Sequence, residues 1–249
     1  MTLEPIDYYD ATQWEAGGER RLEQREQTAI SLLSGALSPS GGSLLDVGCG
    51  DGFFMHALDR EHRLAERGWN LTGIDFSKYM LDRASALPYR FERCNLEQGI
   101  PFDAESFDVL FLGEVIEHIY NPDRLLEECR RVLRPSGHLM VTTPNLQAWY
   151  NRALFLLGIQ PLYYETSTKT TAVGAGPLRR IKRGTAPVGH LRVFNRRALI
   201  DILKREGFEV LKIAGAIMPV LPKPFQLVDA RFNRFTSLTS EFIVLARRA

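Results

Sequence analysis

The stretch Leu44-Leu45-Asp46-Val47-Gly48-Cys49-Gly50-Asp51-Gly52 runs from apolar residues through one acid into a loop with glycine at alternate positions. Glycine lets a backbone turn sharply and approach a ligand closely, so a loop of this kind after a strand suits a nucleotide-like cofactor. Its spacing narrows the choice. In a dinucleotide fingerprint the third glycine falls three residues after the second, so that a helix start can face the pyrophosphate. Here it falls two residues after, and Phe53 stands in the dinucleotide position. Asp46 would repel a pyrophosphate and would suit a ligand carrying positive charge beside its nucleoside. Cys49 has no partnered base in view and reads as small apolar packing rather than as a nucleophile.

The elements that must hold this loop follow from pattern. Glu19 to Leu37 mixes Arg, Glu and Gln with Leu, Ile and Ala at helical spacing, and Ser38 to Gly42 ends it. Strand-like runs follow at Leu44–Val47, Leu71–Asp75, Tyr89–Cys94, Val109–Leu112 and Leu139–Thr143, with helical patterns between most of them. Such alternation predicts an α/β fold with a mainly parallel sheet covered on both faces. Asn121-Pro122-Asp123 is a helix start, with Asn as cap and Pro in the first turn, and Arg134-Pro135-Ser136-Gly137 is the stop. After Pro144 regularity fails for about forty residues, longer than an ordinary connection. Trp149–Leu157 is apolar enough for a helix, whereas Glu165–Val188 is rich in Gly, Thr, Pro and Arg. A helix at Arg196–Glu206 and strands at Phe208–Ala214 and Phe242–Ala246 complete the pattern, the last two as an antiparallel pair.

Composition bounds the function. A chain of 249 residues carrying a net charge of +1 suits one main core and creates no global field for nucleic acid or an anionic membrane. Cys49, Cys94 and Cys129 are an odd, scattered set that fits neither a disulfide framework nor a structural zinc site. The acidic, aromatic start Met1–Asp10 is unlike a signal peptide, and no apolar run is long enough to span a membrane. The expectation is a cytoplasmic protein with no membrane span and no nucleic-acid partner.

Several blocks together resemble class I S-adenosylmethionine-dependent methyltransferases of the small-molecule type. They are Asp46 to Gly52, Gly73-Ile74-Asp75-Phe76-Ser77, Ile100-Pro101-Phe102 with Ser106-Phe107-Asp108, Glu114-Val115-Ile116-Glu117-His118, Arg131 to Gly137, and Thr143-Pro144-Asn145. Asn151-Arg152 to Gly158 and Gly189-His190-Leu191-Arg192-Val193-Phe194 resemble the subgroup that includes MetW-type proteins and assorted glycan or natural-product methyltransferases. The resemblance implies a Rossmann-like, seven-stranded sheet in the order 3214576 with strand seven antiparallel. It implies one methyltransferase domain over 1–249, with an N-terminal helical lid at 1–40, a cofactor-binding core at 41–145, an acceptor-lid insertion at 146–192 and the end of the sheet at 193–249. Gly48, Cys49 and Gly50 would present backbone to the methionine part of S-adenosylmethionine, with Asp46 near its amino group. Asp75 would accept from both ribose hydroxyls, Phe76 would border the adenine, and Asn95-Leu96 would meet its edge. The backbone around Gly113 and Glu114 would contact the methionine moiety.

Methyl transfer from a sulfonium chiefly needs alignment and exclusion of water, but a hydroxyl acceptor must lose its proton. His56, His62 and His138 read as structural, the first two facing solvent. His118 follows the fourth strand and serves either as a loop pin or in catalysis; His190, where the insertion rejoins the core, is the better candidate base. Tyr8, Tyr9 and Trp14 resemble a lid segment. Trp149, Tyr163 and Tyr164, with Tyr150, are candidates to line an acceptor pocket. Arg179 and Arg180, with Lys182 and Arg183, are candidates to hold a phosphate or carboxylate on the acceptor. No cluster of His and carboxylates with metal-ligand spacing appears along the chain, which predicts metal-independent transfer. The leading reading is methylation of an oxygen, less readily a nitrogen or carbon, on a small-molecule, glycan or natural-product acceptor, yielding S-adenosylhomocysteine. Two other readings stand beside it: a non-catalytic cofactor-binding subunit of another enzyme, and an NAD-dependent oxidoreductase, against which the glycine spacing argues. A homodimer or partner enzyme is compatible with either of the first two.

Overall fold

The computed structural model describes residues 20–180, 187–217 and 223–249. Seven strands form one sheet: β1 Gly42–Val47, β2 Trp69–Asp75, β3 Arg90–Arg93, β4 Phe107–Gly113, β5 Leu133–Pro144, β6 Phe208–Ala216 and β7 Glu241–Arg248. Their order is β3-β2-β1-β4-β5-β7-β6, as the resemblance implies. β1 to β5 pair parallel, whereas β7 runs antiparallel to both β5 and β6.

Alternation along the strands divides the core in two. Leu45, Val47, Leu110, Leu112, Leu139 and Val141 point to one face, under helices α4 (Pro122–Val132) and α6 (Arg196–Arg205). Leu44, Val109, Phe111, Met140 and Ile243 point to the other, under α1 (Gln24–Leu33) and α2 (Phe53–His62). Successive side chains of a strand face opposite ways, so near-continuous apolar runs are what a sheet buried on both faces requires. Asn121 caps α4 by accepting from the Arg124 N–H at 3.2 Å, and Pro122 occupies its first turn, as its sequence predicts.

Four departures from the pattern have local causes. The first helix is shorter than Glu19–Leu37, because Ser34–Ala36 tightens into a 3-10 turn. The turn at Arg134–Gly137 lies inside β5 as an irregularity with Ser136 at φ +63°, where the register to β4 shifts. His56 and His62 do not face solvent freely: the first hydrogen-bonds the Tyr89 hydroxyl at 2.9 Å and the second the Ile30 carbonyl at 3.3 Å. Helix α7, Lys223–Phe232, was not expected; Pro224 near its start and Phe225, Asp229 and Phe232 on one face are its signals. A short helix α3, Lys78–Ala84, is capped by Ser77.

The insertion begins with α5, Trp149–Leu156, and is fastened at its root. Asn145, fully buried, donates from Nδ2 to the Thr239 carbonyl at 2.7 Å and accepts the Gln147 N–H at 2.8 Å, while its backbone N–H reaches the Ser240 carbonyl at 2.9 Å. Asn145→Ala would strand the buried Thr239 carbonyl and free the Gln147 N–H, which belongs to an exposed residue, so a loss of about 1–3 kcal/mol is expected. The urea midpoint of the variant measures it, and a shift below about 0.5 kcal/mol would show that the knot is dispensable.

Candidate functional site

The carboxyl ends of the parallel strands meet along one edge, where the glycine loop lies. Gly48 sits at φ +74°, and a Cβ on it would come within 2.4 Å of Val115, so only glycine fits. Gly50 is also left-handed, at φ +54°, but a Cβ there would meet nothing within 4 Å among the described residues, which leaves an open cradle beside the loop. The N–H groups of Gly48 and Cys49 are used on the Ile74 carbonyl at 2.8 and 3.0 Å, and that of Gly50 on Asp75 Oδ2 at 2.8 Å. The Cys49 carbonyl also accepts the Gly52 N–H at 2.9 Å, so with the three N–H groups spent the turn offers a ligand the lone pairs its carbonyls keep, which suit an ammonium group and repel phosphate. Burial pushes the Cys49 thiol up, away from the thiolate form that a nucleophile needs.

Acids crowd this edge. Asp46 is almost fully buried with Oδ2 unpartnered, and burial together with the neighbouring Asp75 raises its pKa to about 8. Asp75 accepts the Ser77 N–H on Oδ1 at 2.8 Å and the Gly50 N–H on Oδ2 at 2.8 Å, which fixes its carboxylate at the end of β2. Glu241, at the start of β7, is raised by burial and by Glu114 to about 8. Buried acids held near neutrality are what a site for a cationic ligand looks like without its cation.

Glu114 follows β4 in the left-handed region, φ +57°, a strained conformation for a side chain of this size. Thr142 Oγ1 holds it by donating to Oε1 at 3.0 Å and accepting its N–H at 3.2 Å. Arg25 of α1 completes the clamp, 3.1 Å from Glu114 and 3.5 Å from Glu241. Nothing in the amphipathic pattern of α1 distinguishes Arg25 from its exposed neighbours; only the fold shows that it faces these acids.

Beyond Glu114 the chain makes a 3-10 turn at Ile116–His118, and here the insertion returns. The N–H groups of Leu191 and Arg192 donate to the Glu117 carbonyl at 2.8 and 2.9 Å. Glu165 grips the same segment, accepting the N–H groups of Val188, Gly189 and His190 at 2.8, 2.8 and 3.1 Å. These bonds place His190 against His118, with ring centroids 4.8 Å apart. His118 Nδ1 faces the Gly189 carbonyl at 3.2 Å and His190 Nδ1 the Tyr163 carbonyl at 3.2 Å. A carbonyl can only accept, so each imidazole carries its proton on Nδ1 and presents Nε2 as the lone-pair atom. Burial lowers both pKa values, that of His118 to about 4, and keeps both rings neutral at pH 7. Glu117 is buried beside them, with Oε2 accepting from Thr143 Oγ1 at 3.0 Å and Oε1 unpartnered. A histidine–carboxylate cluster that linear spacing does not reveal is thus assembled by the fold.

The other expected site residues are placed as follows. Asn95 Oδ1 caps the turn at Leu96–Gln98 by accepting the Glu97 N–H at 3.0 Å, and half-buried Leu96 packs on the core. Phe76 lies under the Arg93 guanidinium at 5.5 Å. Gly113 passes so close to Phe111 that a Cβ would meet its ring at 2.5 Å. Tyr163, at φ +68°, sits 5.4 Å from the His190 ring, whereas Tyr164 is 51% exposed and is not drawn in. Trp149 is committed elsewhere: its indole donates to Asp229 at 3.0 Å and packs on Phe225 and Phe232 of α7, so it seats that helix. Arg179 and Arg180 are exposed on a short 3-10 turn. Tyr8, Tyr9, Trp14, Lys182 and Arg183 lie outside the described residues.

A sheet of this order, with a glycine turn after β1 and an acid closing β2, defines a class I S-adenosylmethionine-dependent methyltransferase. The chain belongs to the methyltransferase domain family, whose model matches residues 20–213. It is similar to the ubiquinone biosynthesis O-methyltransferase of Actinobacillus pleuropneumoniae serotype 7, 30% identical over 162 residues, covering 57% of this chain and 64% of that one. The enzyme of that name from Coxiella burnetii is 27% identical over 135 residues, covering 52% and 55%. The chain thus matches between about half and two thirds of the length of these curated relatives. Among solved structures, a S-adenosylmethionine-dependent methyltransferase from Methanosarcina mazei superposes with a TM-score of 0.59 at 20% identity, covering 87% of this chain and 96% of that one. One from Mesorhizobium loti gives 0.57 at 19%, covering 90% and 98%. No helix among the described residues is long and apolar enough to cross a membrane.

The raised acid has a measurable consequence. The folded chain keeps a proton on Asp46 up to about pH 8, whereas the unfolded chain releases it near 3.8, so stability declines as pH rises between those values. Asp46→Asn cannot ionise and is expected to stabilise the ligand-free protein at pH 8 by on the order of 1–3 kcal/mol, with little effect near pH 4. Urea unfolding at both pH values tests it; equal midpoints for variant and parent at pH 8 would refute the raised pKa.

Proposed function

We propose that the chain transfers the methyl group of S-adenosylmethionine to an oxygen of a small-molecule, glycan or natural-product acceptor. The observation that carries this reading is the neutral imidazole of His190, held with its proton on Nδ1 next to Glu117 and His118, one turn beyond Glu114 on the ligand edge. A neutral imidazole can take a hydroxyl proton as the oxygen attacks. The names of the relatives, O-methyltransferases, support oxygen as the acceptor atom.

The open cradle at Gly50 and the unpartnered oxygen of Asp46 fit the proposed cofactor. When bound, it supplies a methyl group already activated by its sulfonium. The residues then have four tasks. Asp46 and the carbonyls of Gly48, Cys49 and Gly50 hold the amino end, aided by the backbone at Gly113 and Glu114. Asp75 accepts from the ribose hydroxyls, while Phe76, Asn95 and Leu96 border the adenine. His190 removes the acceptor proton through Nε2, and His118 positions the segment that carries it by its bond to Gly189. Tyr163 forms a wall beside His190, and Arg179 and Arg180 offer charge to an acidic group on the acceptor.

Two measurements test these assignments. His190→Ala is expected to lower kcat by about 100-fold or more while S-adenosylmethionine affinity stays within about two-fold. Full turnover would remove the role, with S-adenosylhomocysteine release from cell-extract metabolites as the assay. Cofactor binding should also tighten as pH rises toward about 8 and then level off, because an ammonium group requires the ionised form of an Asp46 that is protonated when free. Calorimetry in buffers of different ionisation enthalpy reads the released proton. Its persistence in Asp46→Asn would assign it to another group.

A further inference from the structure

Glu117, His118 and His190 each direct one ligand-type atom toward the others, and the three atoms lie within 4.8 Å of one another. Two are imidazole nitrogens and one is a carboxylate oxygen. Each imidazole turns its Nδ1 to a backbone carbonyl, and Glu117 Oε1 is buried without a hydrogen-bond partner. A buried, unpartnered carboxylate oxygen gathered with two imidazole nitrogens is a donor set that suits a cation.

We propose that Glu117, His118 and His190 form a binding site for one divalent first-row transition ion. The surroundings of the three residues match what such a site requires. Imidazoles that ligate a metal through one nitrogen donate the other N–H to a backbone carbonyl or carboxylate, which fixes ring orientation and raises ligand basicity. Both histidines do this, toward Gly189 and Tyr163. The ligating carboxylate should itself be held, and Thr143 holds the second oxygen of Glu117. The backbone is preset as well: Leu191 and Arg192 bond the Glu117 carbonyl, and Glu165 clamps three successive N–H groups ending at His190.

The donor set selects the ion. Two nitrogens and one oxygen suit zinc, cobalt, iron or manganese, whereas calcium takes six to eight oxygens. Ligand atoms bonded at about 2.0–2.2 Å stand roughly 3–3.5 Å apart, so small side-chain rotations bring the three into range. Three protein ligands leave coordination open for an outside oxygen, as in catalytic rather than structural sites. This use of the site rests on the oxygen-methylation reading. An acceptor hydroxyl held on the ion would be more acidic and would pass its proton to solvent water as its oxygen takes the methyl group from the sulfonium, and His190 would then serve as ligand. Metal-independent transfer, expected from spacing alone, would give way to metal-assisted transfer.

The test uses the full chain, untagged and stripped by chelator, titrated with Co2+ and then with Zn2+ alone. Visible cobalt absorption saturating at one ion per chain, displaced by Zn2+, is the expected result. Glu117→Gln and His190→Gln should each weaken binding at least tenfold, while His138→Gln, a strand histidine away from the cluster, should not. Circular dichroism checks that each variant is folded, and the parent titration stands by itself if one is not. No saturable binding, or binding unchanged in both cluster variants, overturns the site. Methyl transfer by the chelated protein at the full rate, with binding intact, upholds the site and overturns its part in the reaction. Loss of methyl transfer on chelation, restored by the ion, upholds both.

Discussion

Most of this structure answers to one constraint, the crowding of carboxylates on the edge where the parallel strands end. β1 delivers Asp46, β2 Asp75, and the turn after β4 Glu114 and Glu117. β7 adds Glu241 because it runs antiparallel, so its first residue pairs with the last of β5. Arg25 reaches two of these acids, and burial drives Asp46 and Glu241 to about pKa 8. A ligand-free site of this kind is destabilised in the interest of what it binds. A sulfonium nucleoside with an ammonium group relieves that load where a pyrophosphate would add to it. The glycine loop agrees, since the N–H groups of Gly48, Cys49 and Gly50 are turned inward, and of its carbonyls that of Cys49 is shared with the Gly52 N–H.

The second half of the site is built by return rather than by adjacency. The insertion leaves the sheet at Asn145, anchored to Thr239 and Ser240, and comes back at Phe194, which bridges to Asn145. Both ends of the excursion are therefore fixed at one place. The segment before Phe194 is laid across the turn after β4 by hydrogen bonds to Glu117 and from His118 to Gly189. Binding elements on a long loop are usually imprecise; here the backbone bonds to Glu165 and Glu117 give His190 the precision of a strand residue.

The sheet, its order and its glycine turn are legible in the chain because each depends on local pattern: apolar runs, a cap at Asn121, glycine where φ must be positive. Cofactor acids are legible too, since strand ends fix their place. Helix α7 escapes a pass that reads on from β6 to β7, although Phe225, Asp229 and Phe232 share a face. Trp149 shows the opposite error. Its aromatic character suggests an acceptor wall, but its indole is held by Asp229 and stacked on α7, a partner no spacing reveals. His56 and His62, expected at the surface, are likewise tied to Tyr89 and to the Ile30 carbonyl.

The sequence by itself determined the class: a parallel sheet with an acid-flanked glycine turn that prefers a cationic nucleoside ligand, because strand periodicity, glycine spacing and residue charge are properties of short segments. Only the tertiary structure decided which residues gather beside the turn after β4. Glu117 and His118 lie far from His190 along the chain, and the hydrogen bonds that bring them together join two loops whose residues carry no common pattern. The tautomers, the lowered imidazole pKa values and the unpartnered Glu117 oxygen all follow from burial and facing carbonyls, which exist only once the insertion has closed back onto β4.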